Sequence, residues 1–249
     1  MASTAPGRGA FALTATSAAL ALAHIGPGVT WLPPVRRRWA PSLAGLGRPG
    51  HLALTFDDGP QREGTPAVLE ALDRLGWRAT FFLLGCAVRA EPQVAAQVAA
   101  AGHEIAVHGD RHRYLLTRTP GAARDDLARA IRSVTEATGS VPHWYRPPYG
   151  VLTTGGLLAA RATGVRPVLW SAWGRDWTAS ASPRSVVDEL CSGVLDGGTA
   201  LLHDSDVTSA AGSWRTTVAA LPLLAEEVAR RGLRVGTLGE HGITERARC

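Results

Sequence analysis

Short apolar runs along the 249-residue chain alternate with longer segments in which polar and apolar positions mix. The runs predict strands at His51–Phe56, Ala79–Leu84, His103–Val107, Trp144–Tyr145, Val165–Ser171, Thr199–Leu202 and Leu233–Val235. The intervening segments predict helices over Thr65–Leu75, Glu91–Ala101, Gly121–Thr138, Thr154–Thr163, Pro183–Cys191 and Thr216–Arg231. Thr65 followed by Pro66 is the expected N-cap and first turn of the first of these. Strand followed by helix, repeated this often, implies parallel strands, because each crossover needs a helix to bring the chain back. About seven such units in about 200 residues favour an α/β barrel, closed or nearly so, over an open sheet. A doubly wound open sheet is the alternative, but no GxGxxG turn follows the first strand.

The flanks read differently. Residues 31–50 carry Pro33-Pro34, the run Arg36-Arg37-Arg38, and then Gly45, Gly47, Pro49 and Gly50, the composition of a linker or arm. The expected organisation is an N-terminal apolar segment and Pro/Gly/Arg-rich linker over 1–50, a domain over 51–240, and a tail over 241–249. Gly9 to Thr30 is rich in Ala and Leu with only Arg8 ahead of it, a weak match to a signal peptide and too diluted for a transmembrane helix. The three arginines that follow argue for a cytoplasmic domain, the apolar stretch for export. The expectation is an extracytoplasmic protein, secreted or weakly membrane-associated through this segment, with a cytoplasmic one as the competing reading.

Apolar residues make up 45% of the chain, enough for the core of a single domain. The formal charge of +5 tolerates acidic surfaces, but the basic residues are mostly isolated arginines with no interleaved aromatics, so no nucleic-acid binding is expected. Cys86, Cys191 and Cys249 form no CxxC pair and exclude both a disulfide framework and a thiolate zinc site. No feature of the sequence sets an oligomeric state.

The candidate chemistry lies immediately after the strands: Asp57-Asp58, His108 with His112, Arg146, Asp176 and His203-Asp204. In a parallel barrel the C-terminal strand ends converge on one site. Adjacent carboxylates point in different directions, so one could bind a metal while the other acts as a base; the plain alternative is a solvated Asp-Gly-Pro turn. His108 and His112, four apart, share one face if the segment is a helical turn, and with an aspartate would form a two-His, one-carboxylate metal set. Alone, such a pair is also a common coincidence. Arg146-Pro147-Pro148-Tyr149-Gly150 has a backbone fixed by two prolines that could present the Tyr149 N–H to a developing oxyanion, or could be a rigid surface turn. His203 ends a buried strand, where it is either positioned for chemistry or a hydrogen-bonded core histidine.

These residues resemble the motifs of the NodB-type polysaccharide deacetylases, carbohydrate esterase family 4, in order and over roughly His51 to Leu238. Thr55-Phe56-Asp57-Asp58-Gly59-Pro60 is similar to the first motif, His108-Gly109-Asp110-Arg111-His112 to the second, Arg146-Pro147-Pro148-Tyr149-Gly150 to the third, Asp176-Trp177 to the end of the fourth and Leu201-Leu202-His203 to the fifth. The resemblance implies a distorted (β/α) barrel, with Asp57 as base, Asp58, His108 and His112 as metal ligands, Arg146 orienting the base and His203 as general acid. It implies one divalent metal ion, for which zinc suits an N/O site with open positions. The implied reaction is hydrolysis of the N-acetyl amide of N-acetylglucosamine-type units in a glycan, chitooligosaccharide or peptidoglycan, with release of acetate. A small non-glycan amide as substrate, and a non-catalytic carbohydrate- or cell-wall-binding role, are the alternatives.

Two positions depart from the pattern. Gly109 stands where Ser or Thr often follows the first histidine, which removes a loop-stabilising hydroxyl. Trp173 stands where an acid often precedes the final Asp of the fourth motif, which leaves Asp176 as the candidate for tuning His203. Trp173, Trp177 and Trp214 are either sugar-stacking platforms or ordinary packing.

Overall fold

The computed structural model describes residues 19–243. Eight parallel strands form one curled sheet: β1 (His51–Asp57), β2 (Thr80–Leu83), β3 (Glu104–Val107), β4 (Trp144–Tyr145), β5 (Arg166–Pro167), β6 (Ala172–Trp173), β7 (Thr199–His203) and β8 (Arg234–Gly236). Seven follow the path β5-β4-β3-β2-β1-β7-β6, and β8 pairs with the first half of β1. The helices are α1 (Pro33–Trp39), α2 (Gly64–Arg74), α3 (Gly85–Ala90), α4 (Pro92–Ala100), α5 (Pro120–Thr138), α6 (Thr154–Thr163), α7 (Pro183–Ser192) and α8 (Ser213–Arg230).

β1 is buried along its whole length and sorts its side chains by strand alternation. Leu52, Leu54 and Phe56 face the large cluster shared with Val68 and Leu72 of α2 and Leu221 and Leu224 of α8. Ala53 faces the inner cluster with Phe82, Ala106 and Trp144, and Thr55 and Asp57 share its side of the strand. On this side Ala53 is followed by Thr55 and Asp57, so the interior-facing positions turn polar toward the C-terminal end of β1. Register then does the rest: Asp57 pairs with His203 on one flank and Phe82 on the other, so the base of the site is set by backbone pairing.

The predicted strand Val165–Ser171 is broken in two. β5 pairs with β4 and β6 with β7, and Val168–Ser171 carries the chain from one edge of the sheet to the other. The barrel thus has a seam without strand pairing, and the residues expected to form a linker cover it. Arg36, 2% exposed, donates through Nε and Nη2 to the Trp170 carbonyl at 3.1 and 2.9 Å. Arg37 donates to the Ser171 carbonyl at 2.9 Å, and the Leu169 N–H donates to the Leu43 carbonyl at 2.7 Å. The arginine run is therefore a clasp. At the other terminus His241 and Ile243, placed in the expected tail, are buried, His241 bonding His51 and the Gly45 carbonyl. Residues 9–18 of the apolar N-terminal segment and Cys249 lie outside the described residues. No helix among the described residues is long and apolar enough to cross a membrane.

Thr65 is not a cap. It lies inside α2, where its hydroxyl accepts the Gln61 N–H at 2.8 Å and donates to Asp204 at 2.5 Å, a tertiary pair that outcompetes local capping.

Candidate active site

Asp57, Asp58, His108, His112 and His203 line one cavity of about 260 Å³ at the C-terminal strand ends. Asp58, His108 and His112 offer ligand atoms that all lie within 4.8 Å of one another. Nε2 of His108 and of His112 lie 3.4 and 3.5 Å from Asp58 Oδ1. Asp58 Oδ1 is buried and has no hydrogen-bond partner, the condition of an atom waiting for a ligand. His108 Nδ1 lies 2.8 Å from the Arg146 carbonyl, which fixes it as the donor and leaves the Nε2 lone pair facing Asp58. Burial pushes the His108 pKa down to about 3, so the ring is the neutral form a metal needs. The donor set fits a divalent ion.

The histidine pair is not held by a helical turn. His108 follows β3 and His112 ends an irregular loop, because Gly109 (φ +87°) and His112 (φ +47°) are both left-handed. Only glycine adopts the first without strain, and a Cβ there would lie 3.2 Å from Asp126 Oδ2. The loop is pinned by other means than a hydroxyl at position 109. Asp126 accepts the Asp110 N–H at 2.8 Å, Arg89 holds the Asp110 carboxylate at 2.8 Å, and the carbonyls of Gly109 and Asp110 accept the N–H groups of Gly85 and Cys86.

Arg146 is fully buried inside the barrel beneath Asp57. Its Nη1 donates to Asp57 Oδ1 at 2.7 Å and to Thr55 at 2.9 Å, its Nη2 to the Leu169 carbonyl at 2.8 Å, and it lies over the Phe82 ring at 4.0 Å. Asp57 Oδ2 points the other way, 3.7 Å from His108 Nε2. Burial raises the Asp57 pKa, against the pull of Arg146, His203 and His112.

His203 faces the cavity with Nε2 4.0 Å from Asp58, and its Nδ1 lies 2.8 Å from Asp176 Oδ1. Burial opposes its charge, but Asp176, with Asp58 and Asp57 beyond it, outweighs that and holds its pKa up at about 9. Trp173 is not a substitute for the missing acid. It stacks on Trp177 (4.5 Å, 18°), which meets His203 edge-on at 5.7 Å, and both tryptophans line the cavity. Trp214 does not line it; that ring packs beside Gly64 and under Arg215.

Tyr149 (φ +59°) turns its ring onto His112 at 4.4 Å and into a parallel stack with Tyr114 at 3.8 Å. Among the described residues four non-glycine positions have positive φ, and three of them, Asp58, His112 and Tyr149, line this one cavity. Strain of that kind concentrates at functional sites. Sequence reasoning missed five lining residues: Trp31, Tyr114, Trp170, Ser209 and Thr208, whose hydroxyl donates to Asp58 Oδ2. Tyr114 and Thr208 lie close to motif residues and were within reach of a pattern search; Trp31, within a Pro- and Arg-rich arm, carried no signal.

Comparison with known proteins identifies the family. The family model for polysaccharide deacetylase matches residues 46–168. A chitooligosaccharide deacetylase of a Bradyrhizobium species is 33% identical over 196 residues, covering 74% of this chain and 87% of that one. A peptidoglycan-N-acetylglucosamine deacetylase of Bacillus cereus is 34% identical over 193 residues, covering 76% and 86%. Among solved structures, a peptidoglycan N-acetylglucosamine deacetylase bound to an N-hydroxybenzamide derivative superposes with a TM-score of 0.73 at 28% identity, over 82% of this chain and 94% of that one. The chain belongs to the polysaccharide deacetylase family, carbohydrate esterase family 4, and has its parallel α/β half-barrel.

Proposed function

We propose that the protein is a metal-dependent N-deacetylase acting on N-acetylglucosamine-type units of a glycan, chitooligosaccharide or peptidoglycan. One observation carries the reading: an Asp58–His108–His112 ligand set, with Asp58 and His108 buried, opens onto the same cavity as Asp57 and His203. The relatives named above, a chitooligosaccharide deacetylase and a peptidoglycan-N-acetylglucosamine deacetylase, point the same way.

Asp58, His108 and His112 would hold the ion, and two imidazoles with one carboxylate suit zinc or another divalent ion that prefers N/O ligands. When bound, such an ion supplies Lewis acidity, polarising a carbonyl and making water a stronger acid. Asp57 takes the proton of the attacking water through Oδ2, since Arg146 occupies Oδ1. The water oxygen bonds the acetyl carbon, and the Tyr149 N–H on its proline-fixed turn donates to the developing oxyanion, a contact worth ~3–4 kcal/mol. His203, protonated at neutral pH, gives its Nε2 proton to the amide nitrogen as the C–N bond breaks. Acetate and a free amine leave. Asp176 orients His203, and Trp177 walls the cavity beside it.

Acetate release from N-acetylglucosamine oligomers and peptidoglycan fragments tests this, with chelated protein and with zinc restored. Acetate that needs metal and disappears in Asp57→Asn supports the mechanism; undiminished release by the chelated protein removes the metal from it. Stoichiometric metal with no acetate from any glycan would move the assignment to a small amide. On the same reading, residues 9–30 deliver or tether the enzyme outside the cytoplasm, where wall glycans lie, and recovery of the protein wholly from the cytosol would reverse that.

A further inference from the structure

We propose that the N-terminal arm builds a glycan subsite, in which Trp31 stacks on a sugar unit flanking the one that loses its acetyl group. The inference rests on the glycan reading above and extends it to residues that precede position 46, where the family model begins to match.

Trp31 lines the cavity that holds Asp57, His108 and His203, yet it comes from the arm and not from the barrel. Arg36 makes the connection. Its Nη1 donates to the Trp31 carbonyl at 2.6 Å while Nε and Nη2 hold the Trp170 carbonyl, so one buried guanidinium ties the arm to a second residue of the cavity wall. The Trp170 ring is itself fixed, lying against Gly150, where a Cβ would sit 2.4 Å from it. Upstream, the Thr154 hydroxyl donates to the Ala23 carbonyl at 2.6 Å, and Pro27, Pro33 and Pro34 restrict the backbone on both sides of Trp31. The ring is therefore presented at low entropic cost, as a binding platform should be.

The exposure of Trp31 separates a platform from a plug. A tryptophan that only sealed the seam would be buried; Trp31 is 44% exposed while the clasp beneath it is 2% exposed. A cavity of about 260 Å³ is below the ~300–1,000 Å³ usual for small-molecule sites, so it takes the reacting unit and leaves the rest of a glycan to cross the rim. At that rim stand the Tyr114–Tyr149 stack, from the loops after β3 and β4, and Trp31, over the β5–β6 seam. The axial C–H faces of a pyranose need such apolar, flat surfaces, and an exposed aromatic patch beside a cleft is the surface they would use.

The test compares N-acetylglucosamine monomer and tetramer as substrates of the zinc-restored enzyme, and as ligands of the chelated protein by calorimetry. Wild type should gain in kcat/KM from monomer to tetramer. Trp31→Ala should raise KM for the tetramer about tenfold, with kcat within about twofold, and weaken tetramer binding to the chelated protein by the same factor. Trp31→Phe should restore most of both. Arg36→Gln, which frees the arm without altering the ring, should lose the same length preference. A Trp31→Ala enzyme with the wild-type tetramer-to-monomer ratio overturns the subsite and leaves the deacetylase intact. A wild type that neither binds nor deacetylates any oligomer overturns the glycan reading and the subsite with it.

Discussion

Asp176 grips His203 from two directions: Oδ1 lies 2.8 Å from the ring Nδ1, and Oδ2 accepts the backbone N–H of the same residue at 2.7 Å. The Thr217 hydroxyl donates to Oδ2 as well, so the carboxylate cannot rotate away. This arrangement supplies, from a single acid, the tuning for which the family pattern often uses two. With its pKa held up at about 9, His203 is an imidazolium at neutral pH, the form the proposed mechanism needs to protonate the leaving amine.

Asp176→Asn should therefore move the alkaline limb of the kcat profile toward neutral pH by about one unit or more, and lower kcat at pH 7 by ~10²-fold. On the proposed mechanism the alkaline limb reports loss of the His203 proton, so activity falls as pH rises through the folded pKa of that ring. Rate profiles of the two proteins decide it; an unshifted limb would show that Asp176 only packs against His203.

The fold and the centre of the site were legible in the sequence because strand alternation and strand ends are local signals. Asp57, His203 and Arg146 each follow an apolar run, and parallel pairing brings them together. What stayed hidden depends on contacts between distant segments. Val165–Ser171 reads as one strand, and only pairing shows that it serves both sheet edges. Arg36 reads as one of three linker arginines until the unpaired carbonyl of Trp170 is seen to need a donor. Thr65 reads as a cap until Asp204, 139 positions away, claims its hydroxyl.

Gly109 looks from sequence like a weakened motif, and its φ of +87° says otherwise. Gly109→Ser would add a side chain in a conformation that disfavours it, against Asp126 Oδ2 and Pro148. The expected loss is ~1–2 kcal/mol of stability, together with weaker metal binding as His108 and His112 are displaced. Urea unfolding and zinc titration measure the two; a serine that stabilises the loop would show that the missing hydroxyl was a defect.

Arg146 and Asp57 form a pair with both side chains buried, closed at 2.7 Å. Removing either partner leaves a charge without compensation, which typically costs about 3–5 kcal/mol. Arg146→Met should thus destabilise strongly and abolish activity, whereas Asp57→Asn keeps a polar group opposite the guanidinium and should lose activity with a smaller change in stability. Paired unfolding and activity measurements test the difference; equal destabilisation by the two would mean that Asp57 is chiefly structural.

Two histidines far from the cavity set a further limit at low pH. His103 accepts the Ala79 N–H at Nδ1 (3.2 Å), and His241 shares an Nδ1–Nδ1 bond of 2.8 Å with His51 that can hold only one proton. Burial pushes both His103 and His241 down to about 4, from the ordinary 6.5. Between those values the unfolded chain takes up protons that the fold refuses, so the stability they contribute is complete above about pH 6.5 and is lost as pH falls through 4. Each should contribute on the order of 2 kcal/mol to the difference between pH 7 and pH ~4.5. His103→Asn keeps an acceptor for the Ala79 N–H but does not titrate, so its unfolding midpoint should fall less on acidification than that of the wild type. If the two proteins lose stability in parallel, the acid sensitivity arises from other groups and the Ala79–His103 bond is not what protonation breaks.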